Sequence, residues 1–108
     1  MAKSKLKFVC TAHDIFDGSR HWNIEDPNGN VIGEIEKETC WVGNKHSADS
    51  YTVRIVTNDE DHDYEECFEV QNVWKDCGHE TFTAHEAFMR CKRYARDLYP
   101  VLKKRGLL

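Results

Sequence analysis

Apolar and polar positions alternate through the first three quarters of the chain and switch to a helical spacing in the last. Lys5-Leu6-Lys7-Phe8-Val9-Cys10 places Leu6, Phe8 and Cys10 on one face of an extended segment. Alternation resumes over residues 20–25 through Trp22 and Ile24. Asp26-Pro27-Asn28-Gly29 follows; proline presets the first turn position and Asn-Gly takes positive φ at low cost, so a hairpin is expected. Its return strand spans 31–37, where Ile32 and Ile35 flank Gly33, a place for a bulge or a close backbone approach. Residues 40–42 extend that strand. A loop over 43–50 then leads to the β-branched run 51–56, an acidic stretch over 59–66, and a fifth strand over 67–74 with Phe68, Val70 and Trp74 on one face.

The last quarter has another period. Ala84, Ala87, Phe88, Cys91, Ala95 and Leu98 recur at i, i+3, i+4 spacing, an apolar helical stripe. Thr83-Ala84-His85-Glu86 reads as a capping box at its start. Pro100 is expected to end or kink the helix, and Gly106 to stop any short turn beyond it. Connections too short for a helical crossover require antiparallel pairing. The expectation is one α+β domain over 1–108: an antiparallel meander of about five strands across 5–74, an amphipathic helix across 84–99 packed on one sheet face, and a short basic tail over 100–108.

Composition agrees with this reading. The 108 residues are 40% hydrophobic and 31% charged, which fits a globular domain rather than a disordered one. One domain of this size leaves no cleft between domains for a large active site. No apolar run approaches the ~20 residues needed to cross a bilayer, so no membrane association is expected. Lys5 and Lys7 interrupt the only basic N-terminal stretch that resembles a leader. Five cysteines, an odd and scattered set with no Cys-x-x-Cys pair, suggest reduced thiols and a cytoplasmic location.

Charge is unevenly distributed. Residues 90–105 hold seven bases (Arg90, Lys92, Arg93, Arg96, Lys103, Lys104, Arg105) and one acid, Asp97, although the whole chain carries −4. Asp59, Glu60, Asp61, Asp63, Glu65 and Glu66 place six acids within eight positions. Surfaces of opposite sign steer charged partners toward a protein. Each is also what a solvated loop or helix face looks like, and bases near a helix C-terminus complement its dipole. The acidic segment is the first candidate for a protein partner, with Trp41 and the loop holding His46 beside it. An exposed Trp would anchor an interface, whereas a buried one would belong to the core. The basic helix is the candidate for nucleic acid, with Tyr94 and Tyr99 adding aromatic contacts.

Metal and enzyme readings have less behind them. Cys10 with His13, and Cys77 with His79, bring possible zinc ligands close in sequence, but their spacings match no zinc-finger pattern, and no cofactor is expected. There is no Gly-x-Ser-x-Gly, phosphate loop or dinucleotide fingerprint, so a non-enzymatic role is expected. Cys67 and Cys91 fit apolar faces as small buried hydrophobes. In its size, stray cysteines and lack of motifs the chain is similar to short accessory proteins of bacteriophages and mobile elements. That similarity implies a binder that inhibits or modulates host machinery and assigns no residue a role.

Overall fold

The computed structural model describes residues 5–14, 18–42, 45–58, 63–70 and 81–108, with backbone alone at 40–42 and 45–48. Strands β1 (Lys7–His13), β2 (Arg20–Glu25), β3 (Val31–Val42), β4 (Lys45–Ile55) and β5 (Tyr64–Glu69) precede one helix, α1 (Ala84–Lys104). The strands lie in the sheet in chain order, and every neighbouring pair is antiparallel. This is the expected α+β meander with a C-terminal helix packed against the sheet.

Turn chemistry at Asp26 sets the β2–β3 register. Its carboxylate accepts the backbone N–H groups of Asn28 and Asn30, each at 2.9 Å, while Gly29 takes φ +86°. Those bonds, that from Asn30 foremost, hold the carboxyl below the ordinary carboxylate range. Beyond the turn, Val31 faces Glu25 and Gly33 faces Ile24, so Ile32 is the extra residue of a bulge. The bulge reconciles a parity conflict: Ile32 and Ile35 are three apart, yet both are buried.

The sheet's inner face presents Ile24, Ile35, Val53 and Ile55, each fully buried, and the helix meets it with Ala87, Cys91, Ala95, Tyr99 and Leu102. Small side chains at 87, 91 and 95 let the helix lie close to the strands. Burial pushes the Cys91 thiol up to about 12. Phe88 fills the flank, its ring 4.5 Å from Trp22 and 5.9 Å from Tyr51 between centroids. Thr83 caps the helix as expected, accepting the Glu86 N–H at 3.1 Å. The Glu86 carboxylate accepts a hydrogen bond from the Thr83 hydroxyl at 3.0 Å, which replaces the reciprocal backbone bond of a full capping box.

Several boundaries differ from expectation; β1, read over 5–10, runs from Lys7 to His13. The helix runs through Pro100 to Lys104. Proline offers no N–H to the Arg96 carbonyl, but it lies on the exposed side, and burial of Tyr99 and Leu102 on either side of it keeps the turn docked. Gly106 at φ +72° closes the helix in a Schellman motif, with Gly106 N–H on Lys103 and Leu107 N–H on Leu102. Residues 45–50 are not loop but the first half of β4, because β3 continues to Val42 and pairs with them. β5 begins at Tyr64, three residues before the expected Cys67, and ends at Glu69; Trp74 lies outside the described residues.

Candidate functional site

Sheet parity sorts the charged residues. His21, Asn23 and Glu25 on β2, Glu34, Glu36 and Glu38 on β3, Thr52 and Arg54 on β4, and Glu65, Cys67 and Glu69 on β5 alternate with the buried set. They occupy the face that the helix does not cover. That face is acid-rich, with Glu25, Glu34, Glu36, Glu38, Glu65 and Glu69 set against Arg54 and the neighbouring Lys7 of β1. The outer side of α1, carrying Arg93 and Lys104, is the opposite surface of the molecule. A two-layer fold thus separates charge of opposite sign onto its two outer faces.

The acidic segment is not one loop. Glu65 and Glu66 belong to β5 and point to opposite faces of the sheet, Glu66 beside Val53 on the helix side and Glu65 beside Arg54 on the open side. Tyr64 and Phe68, which pack against the core, draw these acids into the strand despite their poor β-propensity. Asp63 is exposed just before the strand, while Asp59, Glu60 and Asp61 lie outside the described residues. Arg54 joins the two acidic strands: Nε and Nη2 each donate to Glu65 at 3.0 Å, and Nη1 lies 3.7 Å from Glu34. The hydrogen bond to Glu65 is the main reason the guanidinium is held still more firmly protonated. The backbones of Trp41 and His46 pair directly across the β3–β4 hairpin, which places His46 in a strand rather than in the expected loop.

Most of the basic helix residues rest on aromatic rings of the fold. Arg90 lies 4.6 Å from the Phe82 ring centroid, Lys92 4.7 Å from that of Phe88, and Arg96 5.3 Å from that of Phe8. Lys103 Nζ donates to the Tyr99 hydroxyl at 3.3 Å, and Arg93 pairs loosely with Asp97 at 3.8 Å. Arg90 and Lys92 therefore sit on opposite flanks, not in one stripe of phosphate contacts. Lys104 and Arg105 are exposed at the helix end. Tyr94 and Tyr99, expected as nucleic-acid contacts, are instead part of the packed layer; burial, followed by the charge of Glu66, raises the Tyr94 hydroxyl.

Of the expected zinc ligands, Cys77 and His79 lie outside the described residues. Cys10 is exposed, and its thiol reaches the Ala12 carbonyl at 3.7 Å. Among the described residues neither Cys10 nor His13 joins a group of three ligands; His21, Glu34 and Glu36 do. Sequence inspection missed that trio because its members come from two strands. Glu34-Ile35-Glu36 on a strand was the available signal, since alternate residues share a face. Cys67, expected on an apolar face, is exposed on the open one, whereas Cys91 is buried as expected. No described helix is long and apolar enough to cross a membrane. No family model, curated protein or solved structure matches the chain.

Proposed function

We propose that this protein is a non-enzymatic binding module whose open sheet face, together with the acidic segment leading into β5, docks a basic surface of a partner protein. The accessory, modulating role suggested by the chain's general character is part of this proposal. The carrying observation is the segregation of Glu25, Glu34, Glu36, Glu38 and Glu65 onto the face free of the helix. Strands hold these carboxylates at fixed spacing, so a partner cation meets them without ordering a loop first. β5 is also the edge strand of the described sheet, its outer side taken at Glu69 by the Phe82 N–H and offered to a partner segment only over its first residues. The basic helix supports nucleic-acid binding less well, because four of its cations are already stacked on or bonded to the fold's own aromatics.

The test is capture from lysate at low salt, identification of the retained protein, and titration of that protein in pure form. Affinity is expected to fall as salt rises and to drop about tenfold or more when Glu38→Gln, Asp63→Asn and Glu65→Gln are combined. Affinity unchanged by that triple variant, or retention of duplex DNA instead of protein, overturns the reading.

A further inference from the structure

We propose that His21, Glu34 and Glu36 form a binding site for a first-row divalent transition-metal ion on the open face of the sheet. This does not depend on the partner-docking role. In the β2–β3 register His21 stands opposite Glu36, and Glu34 lies two residues along the same strand on the same face. One donor atom from each lies within 4.8 Å of the other two. Nε2 of His21 is already 2.9 Å from Oε2 of Glu34. An ion bonded at ~2.0–2.2 Å to each donor needs only modest closure, which rotation about the terminal bonds of the two glutamates supplies.

The surroundings of the trio orient its donors. The Thr11 hydroxyl is hydrogen-bonded to Nδ1 of His21 at 2.5 Å and also reaches the His21 carbonyl at 3.4 Å. That arrangement leaves Nε2 as the ring atom turned toward the carboxylates. Glu34 is held from its other side, with Oε1 3.7 Å from Arg54, while Oε2 faces Nε2 of His21, where an ion would stand between them. A ligating imidazole whose second nitrogen is hydrogen-bonded, beside a ligating carboxylate steadied by a further partner, is the usual outer arrangement of a metal site.

A surface ion pair between His21 and Glu34 explains two of the three residues and not the third. Glu36 is half-buried next to Glu34 and has no ion-pair or hydrogen-bonding partner among the described residues. Two adjacent carboxylates and one imidazole form a site that a divalent ion neutralises. One nitrogen and two oxygen donors favour zinc, manganese, iron(II) or cobalt over magnesium and calcium, which take oxygen alone. Side-chain exposures of 26% for His21 and 32% for Glu34 leave the ion open to water on the solvent side.

Manganese(II) is the direct probe, because it has little affinity for the chain's thiols and broadens nearby amide signals in proportion to proximity. Substoichiometric Mn²⁺ is expected to broaden the amides of His21, Glu34 and Glu36 first, and added Zn²⁺ to restore them. Glu36→Gln removes a ligand without breaking any interaction seen in the fold. It is expected to leave the thermal midpoint of the metal-free protein unchanged and to weaken Mn²⁺ binding more than tenfold, with Thr11→Val weakening it about tenfold. Equal broadening in Glu36→Gln, broadening centred on residues 59–66, or no selective broadening overturns the site.

Discussion

A Cβ atom built on Gly33 falls 2.1 Å from the carbonyl oxygen of Arg54, so the β3 backbone approaches β4 at a distance that only glycine permits. The neighbour is backbone in the middle of a sheet and cannot move aside. Gly33→Ala is therefore expected to cost about 3 kcal/mol or more, at or beyond the upper end of ordinary overpacking. Gly29→Ala meets no atom and carries only the strain of φ +86°, about 1–2 kcal/mol. Urea melts of the two variants side by side check the order; equal costs would mean that β3 and β4 are not so closely registered.

Phe88 carries the helix onto the sheet through Trp22 and Tyr51. Because it is half-buried, Phe88→Ala is expected near the lower end of aromatic truncations, about 3 kcal/mol. Glu86→Ala loses only a hydroxyl-to-carboxylate bond beside an intact Thr83 cap and is expected to cost under about 1 kcal/mol. Denaturant midpoints measure both, and a Phe88→Ala midpoint equal to that of the parent would show that the helix is not docked.

Thiol chemistry separates the cysteines by burial. Cys10 and Cys67 are exposed, whereas Cys91 is buried with its thiol pushed up to about 12. At mildly alkaline pH, iodoacetamide is expected to modify the first two within minutes and Cys91 only at the rate of unfolding. Peptide-resolved mass spectrometry reads this directly. Fast labelling of Cys91 in the native protein would contradict the packed layer.

The β2–β3 turn responds to acid in a definite direction. With the folded-state value of Asp26 lowered, its charge stabilises the fold fully above the unfolded carboxyl value, near pH 4, and that contribution disappears as pH falls through the folded value. Asp26→Asn keeps an acceptor oxygen for Asn28 and Asn30 but not the charge. The stability gap between parent and Asp26→Asn is thus expected to be constant near neutrality and to close below about pH 4. Melts across that range measure it, and a gap independent of pH would remove the charge from the account.

The strand count, the antiparallel order, the Asp26 turn, the Thr83 cap and the middle of the helical stripe are legible, because each rests on local patterning; Ala84 of that stripe is exposed, and Tyr99 and Leu102 extend its buried side instead. The errors arose where distant packing outweighed a local signal. Pro100 reads as a stop, but Leu102 beyond it is fully buried and holds the helix together. Lys45 to Ser50 reads as polar loop, yet pairing with β3 makes it strand. Glu65 and Glu66 read as loop acids until Tyr64 and Phe68 draw them into β5. The trio of His21, Glu34 and Glu36 depends on register across a hairpin that contains a bulge, and spacing along the chain does not reveal such a register.

Identity of chain order and sheet order has a consequence for birth on the ribosome. Each strand pairs with the one made just before it, so hairpins can close in turn as the chain emerges, without waiting for a distant segment. The helix is made after all five strands. Until it arrives, Trp22, Ile24, Ile35, Tyr51, Val53 and Ile55 form a wet apolar surface on a nearly finished sheet, the kind of surface that nascent chains bury in one another or in a chaperone. A slow stretch of translation anywhere between β4 and α1 would prolong that exposure, and the same pause placed before β4 would leave less of the surface assembled.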